Sequence, residues 1–186
     1  MKLSNATVGL VLCVVAGCGT ASVPFVHMKP KYTEVPLDTL REVALRVEQA
    51  IQAGEREPDI PDRDGIVLNT DLIRQAIRMR AARSEHLNAF LDQGYAVEKR
   101  NGHVYILRTK EYQKATTGRE RNRNAQLILG EAENRWAIYE GIVDASDLPK
   151  RSLSAIQEVF HEARLKCMKP GQKYENAQGD IVPIAE

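Results

Sequence analysis

The sequence predicts a mainly helical α+β fold, with about four helices and a small antiparallel hairpin or sheet. Two observations carry this reading. Four stretches place apolar residues three and four apart, the spacing of a helix with one buried face. Between them, "YAVEKRNGHVYILR" has two short runs flanking Asn101-Gly102, a dipeptide that accepts the positive φ of a type I′ hairpin turn.

The first helix follows from Leu37, Leu40, Val43, Ala44, Val47, Ala50 and Ile51, with Asp38 as a start signal and Gly54 and Pro58 as its end. "PDIPDRDG" is a turn-rich connector, because its prolines cannot continue a helix. Asn69-Thr70-Asp71 offers a cap to a second helix, read as continuous through Leu72, Ile73, Ala76, Ile77, Ala81, Leu87, Phe90 and Leu91 and stopped by Gly94. The hairpin comes next. After Thr117-Gly118 the polar "RERNRN" leads into a long helix with the stripe Leu127, Ile128, Ala132, Trp136, Tyr139, Ile142 and Val143. Leu148-Pro149 breaks it. Ser152 and Ser154 are expected to cap a last helix on Leu153, Ile156, Val159, Phe160, Ala163 and Leu165, ended by Pro170-Gly171. "QKYENAQGDIVPI" reads as two short extended runs around Gly179 that add strands to the hairpin.

Ahead of these elements, residues 1–17 have the parts of a signal peptide: Lys2, an apolar run from Val8 to Val15, and small residues at Ala16-Gly17. The run is shorter than the roughly 20 residues of a membrane span. Val15-Ala16-Gly17-Cys18 resembles the lipobox of bacterial lipoproteins. That resemblance implies cleavage between Gly17 and Cys18, diacylglycerol on the Cys18 sulfur, and a further acyl chain, such as palmitate, on the new amino group. Two or more chains anchor stably where one anchors marginally. The alternatives are an ordinary secretory signal with an incidental cysteine, or a buried N-terminal helix. Residues 18–36, with scattered Pro, Lys and Ser, read as a flexible tether, with Phe25, Val26 and Tyr32 apolar enough to dock on the domain instead. Residues 37–62 are a helix and its connector, and 63–186 the main domain.

With Cys13 removed and Cys18 acylated, Cys167 is left without an intramolecular partner. Its neighbours Leu165 and Met168 predict a buried small hydrophobe. Removal of residues 1–17 takes away Lys2 and no acidic residue, so 26 basic against 25 acidic residues becomes 25 against 25. A neutral chain lacks the basic excess of a nucleic-acid binder.

From about Leu72 to Val182 the chain resembles the YdbL family of small uncharacterised Gram-negative envelope proteins. The matching stretches are "HLNAFLDQGYAVEKRNGHVYIL" and "GEAENRWAIYEGIVDASDLPKRSLSAIQEVFHEARLKCMKPGQKYENAQGDIV". Within them, Glu133-Asn134-Arg135, Leu153-Ser154 and Lys169-Pro170-Gly171-Gln172-Lys173-Tyr174 carry the motifs. The lipobox and the helix near 37–56 depart from the family pattern. The resemblance implies an accessory role beside larger envelope proteins of the AsmA-like, lipid-bridging kind, and brings no catalytic residues with it.

The residues themselves offer no catalytic set, no metal site, no cofactor motif and no small-molecule substrate. None of His27, His86, His103 and His161 has a second histidine or a cysteine at the short spacings metal sites favour. His86 and His161 are expected on exposed or partly exposed helix faces, and Glu131, Glu133 and Glu140 on solvated or salt-bridged ones. Trp136 and Tyr139 are read as core. Two basic groups, Arg74 and Arg78 (with Arg80 and Arg83) and Arg119, Arg121 and Arg123, are candidates for contact with an anionic surface, with ordinary solvated faces as the alternative. The expected partners are the membrane, through the N-terminal lipid, and an envelope protein. Gly19 is not the acidic residue associated with inner-membrane retention, which favours the outer membrane, facing the periplasm. The expectation is a non-catalytic accessory or chaperone-like subunit. The rivals are a structural lipoprotein that binds peptidoglycan and a cell-wall hydrolase.

Overall fold

A computed structural model describes residues 35–186. The expected signal peptide, the expected cleavage and acylation at Gly17–Cys18, His27 and the expected tether through residue 34 lie outside the described residues. Among the described residues there are six α-helices, one 3-10 turn and four strands, so the expected four helices undercount.

Helix α1, Leu37–Gln52, lies where the apolar spacing puts it, and Gly54 leaves it at φ 74°. Its buried face, with Val43, Ala44, Val47 and Ile51, belongs to the same core cluster as Ile73, Ile138, Ile142, Ile156 and Phe160 of later helices. The connector that follows contains a true two-residue hairpin turn. Asp64 and Gly65 have φ of 48° and 83°, and Arg63 and Ile66 exchange both backbone hydrogen bonds across them. Positive φ at both central residues is the type I′ requirement. Asp62 then accepts from the backbone N–H groups of Leu68 and Asn69, at 2.7 and 3.0 Å, and closes the connector.

The second expected helix is two helices. Helix α2, Asp71–Ala81, is capped by the Thr70 hydroxyl, which accepts from the Ile73 N–H. Helix α3 is Ser84–Asp92. Between them the Ser84 hydroxyl donates to the Ala81 carbonyl at 2.9 Å, and the Arg83 N–H closes a tighter turn onto Arg80. A serine hydroxyl that competes for a helix carbonyl interrupts the ladder while leaving the apolar spacing intact. The break turns Leu87, Phe90 and Leu91 into a second small core with Ala96, Val104 and Tyr112.

Strands β1, Ala96–Glu98, and β2, Val104–Ile106, pair antiparallel with Glu98 opposite Val104. Their loop differs from the expected type I′ turn. Among the described non-glycine residues only Asp64 and Asp147 have positive φ; at the hairpin only Gly102 does, at 79°. The Gly102 N–H reaches Lys99 and the Lys99 N–H reaches His103, the three-residue loop in which a left-handed glycine closes a bulge.

A short helix not foreseen, α4 at Lys110–Ala115, is capped by the Thr109 hydroxyl. Helix α5, Gly118–Ala145, takes the polar "RERNRN" segment as its first turns, because Thr117 and Glu120 form a reciprocal capping box there. After the 3-10 turn Lys150–Ser152, helix α6 runs Leu153–Cys167. The Ser152 side chain makes no capping bond; it is buried, and its backbone already turns in the preceding 3-10 segment.

Strands β3, Lys173–Glu175, and β4, Ile181–Pro183, do join the hairpin, as expected, in the order β2-β1-β3-β4. The sheet is mixed rather than antiparallel, since β3 runs parallel to β1 with Glu98 beside Tyr174. Parallel neighbours need a long crossover, and α4, α5 and α6 supply it. Helix α1 packs along α6, and α2 along α5.

Candidate functional site

The helical spacing that builds the core also carries charge into it. Glu48 follows Val47 on the buried face of α1, Arg80 continues Ile73, Ala76 and Ile77 on α2, and Glu131 and Arg135 precede Ile138 and Ile142 on α5. Arg164 follows Ala163 on α6, and Glu98 ends β1. All six are buried, none more than 5% exposed.

They close into a ring of alternating sign. Arg80 grips both oxygens of Glu48 at 2.9 Å and turns its Nε to Glu131 at 3.0 Å. The same Glu131 oxygen accepts from Arg135 Nε at 2.7 Å. Arg135 Nη1 reaches both oxygens of Glu98, at 2.8 and 3.0 Å, and the Gly102 carbonyl at 3.1 Å. Arg164 Nε donates to Glu98 at 2.7 Å, and its Nη1 returns to Glu48 at 3.4 Å while donating to the Tyr139 hydroxyl at 2.7 Å. Three carboxylates and three guanidiniums thus cancel, and every carboxylate faces two arginines.

This pairing sets the ionisation. Burial alone would push the Glu98 carboxyl up, but Arg135 and Arg164 outweigh it and hold it well below the usual carboxylate range. Glu131 is treated the same way: burial raises it, and Arg80 with Arg135 brings it below its ordinary value. For Arg135, burial is opposed by Glu98 and Glu131, which keep the guanidinium firmly protonated. Burial pushes the Tyr139 hydroxyl up. Groups held this far from neutral pH are poor proton shuttles, because general acid–base work needs a pKa near the working pH. What the ring does is fasten four helices and a strand together.

A cavity of about 40 Å³ opens beside the ring, walled by Ile51, Leu87, Leu91, Cys167, Met168 and Gln172 as well as the charged residues. Arg164 Nη2 is buried without a hydrogen-bond partner among the described residues. Cys167 is half-buried rather than fully buried, because the last turn of α6 leaves it at the cavity wall. Burial, then the nearby Glu48 carboxylate, raise its thiol pKa, which disfavours the reactive thiolate.

Several sequence expectations change here. Glu131 is salt-bridged but wholly inside, whereas Glu133 and Glu140 are exposed. His86 is exposed as expected, but His161 is buried, with Nδ1 3.7 Å from Glu98, since α6 turns that face toward β1. Tyr139 is core; Trp136 is partly buried and donates its Nε1–H to His103 Nε2 at 3.3 Å. No group of three or more metal-ligating side chains occurs among the described residues, and no described helix is long and apolar enough to cross a membrane.

The two basic groups part company. On α2, Arg80 belongs to the ring, Arg74 pairs with Asp71 at 2.8 Å, and Arg78 pairs with Glu57 and donates to Gln75. On α5, Arg119 and Arg123 are exposed, and neither forms an ion pair among the described residues. Arg121 is partly buried and donates to the backbone carbonyls of Thr116 and Gln113.

The ring residues were within reach of sequence reasoning: four helices each show a charge at a core position of the stripe, which the count of apolar residues passes over. Comparison with protein-family models, with curated proteins and with solved structures finds no match for the chain.

Proposed function

We propose that this chain is a membrane-anchored lipoprotein of the bacterial cell envelope, acting as a non-catalytic accessory or chaperone-like subunit beside a larger envelope protein. The observation that carries it is Val15-Ala16-Gly17-Cys18 at the end of a short apolar run behind Lys2. Acylation at Cys18 holds the domain at the periplasmic face of the outer membrane. The ring supports the non-catalytic part of the reading, since its carboxylates are all paired with arginines and Glu98 and Glu131 are held below the usual carboxylate range. The resemblance to the YdbL family supplies the kind of partner, an AsmA-like lipid-transport protein.

Crosslinking in intact cells followed by affinity capture tests this, with wild type compared against Cys18→Ala. Reproducible recovery of a large envelope protein, weakened by Cys18→Ala, is expected. Recovery of muropeptide alone would replace this reading with a peptidoglycan-binding structural lipoprotein.

A further inference from the structure

Between Arg108 and Arg123 the chain carries six basic and two acidic residues. One of the acids, Glu120, is committed to the capping box with Thr117. Arg108 and Arg121 both line a groove of about 480 Å³ between the end of β2 and the first turns of α5, where Arg121 also donates to the Thr116 and Gln113 carbonyls. Its walls are Ile106, Tyr112, Asn122 and Ala125, and it has no acidic lining residue. Among the described residues, Arg108, Lys110, Lys114, Arg119 and Arg123 form no ion pair, in contrast to Arg74 and Arg78. Just beyond the groove lining, Leu129 stands on one face of α5 with Asn122 and Ala125, at the three-and-four spacing, and is 52% exposed.

We propose that this groove docks the phosphodiester headgroup of an anionic phospholipid, with Arg108 and Arg121 on the phosphate and Ile106, Ala125 and Leu129 against the glycerol and first methylenes. Planar guanidiniums suit a phosphate's oxygens, and unpaired charge is what a negative lipid surface attracts. The apolar strip decides the occupant: a free phosphate would use the arginines and leave Ala125 and Leu129 idle, whereas a lipid uses both. The inference deepens the proposed membrane tether but does not need the acyl group for its test.

The full chain carrying Cys18→Ala is titrated with vesicles of phosphatidylglycerol and phosphatidylcholine in equal parts, and with phosphatidylcholine alone. Binding to the anionic vesicles only is expected. Arg108→Gln with Arg121→Gln should weaken it about tenfold or more, at roughly fivefold per basic residue, and Leu129→Gln should weaken it further. Arg74→Gln with Arg78→Gln, which removes the same charge from α2, should leave it unchanged. Equal weakening by the two double variants would overturn the site in favour of diffuse charge attraction, and no binding to either vesicle would overturn it outright. Competition by inorganic phosphate beyond that of chloride at equal ionic strength would make the ligand a free phosphate and overturn the lipid assignment. Acylation of Cys18 is read in a separate experiment, so either idea can fail while the other stands.

Discussion

Arg135 donates to both carboxylate oxygens of Glu98, at 2.8 and 3.0 Å, and so ties the middle of α5 to the last residue of β1, 37 positions earlier in the chain. Glu98 also takes Arg164 of α6. One carboxylate therefore joins the sheet to two helices. Removing it strands two buried guanidiniums, and breaking a buried pair from one side costs about 3–5 kcal/mol. Glu98→Ala is expected to lose that much in urea denaturation. A loss under about 1 kcal/mol, the scale of an exposed pair, would contradict the ring's structural role.

The exposed bridges give the matched control. Arg41–Asp38 and Arg74–Asp71 are open to solvent on both sides. Arg41→Ala and Arg74→Ala should each change stability by less than about 1 kcal/mol, and added salt should shrink even that.

Stability should fall in acid through the ring. Glu98 and Glu131 have folded-state pKa values below their ordinary ones. The unfolded chain, with glutamates near ~4.3, then binds more protons than the folded one as pH drops past that value. Stability from these groups is thus fully present above about pH 5 and is lost as pH falls through their folded pKa values. Melting curves of wild type and Glu98→Gln should stay separated at neutral pH and draw together progressively as pH falls below the unfolded value toward the folded one; a gap that stays constant into acid would contradict the linkage.

Gly141 sets how closely α5 meets α2. A Cβ at that position would lie 2.7 Å from Ile73 Cγ1, and Ile73 is fully buried. Gly141→Ala should destabilise the protein by about 1–3 kcal/mol through overpacking, although alanine is the better helix former. A stabilised variant in thermal unfolding would show that α2 can retreat freely.

The start of α5 depends on Thr117, whose hydroxyl and N–H both engage Glu120. Thr117→Ala should cost about 1 kcal/mol, read by thermal unfolding together with faster hydrogen exchange over residues 118–122.

Most elements were legible because apolar spacing reports the buried face directly, as α1 and the Leu153–Cys167 helix show. The single helix expected from Leu72 to Leu91 is two because a serine hydroxyl, invisible to spacing, takes the Ala81 carbonyl. Asn101-Gly102 marks a turn but not its type. The loop there is one residue longer than the I′ turn, which occurs at Asp64-Gly65 instead. The parallel β1–β3 pair was hidden because strands three residues long carry no directional signal. The ring escaped for a different reason. Glu48, Arg80, Arg135 and Arg164 sit in core phase, but charged residues are almost never fully buried unless paired, and apart from Arg135–Glu131, four residues apart, the pairs span 32 to 116 residues.

In the proposed reading, Cys18 tethers this domain to a membrane. Metabolic labelling with a clickable palmitate analogue, followed by membrane fractionation of wild type and Cys18→Ala, tests it most directly. Label on the wild-type protein in the outer-membrane fraction, and none on Cys18→Ala, is expected. A wild-type protein recovered unlabelled in the soluble periplasm, cleaved as an ordinary secreted chain, would contradict it.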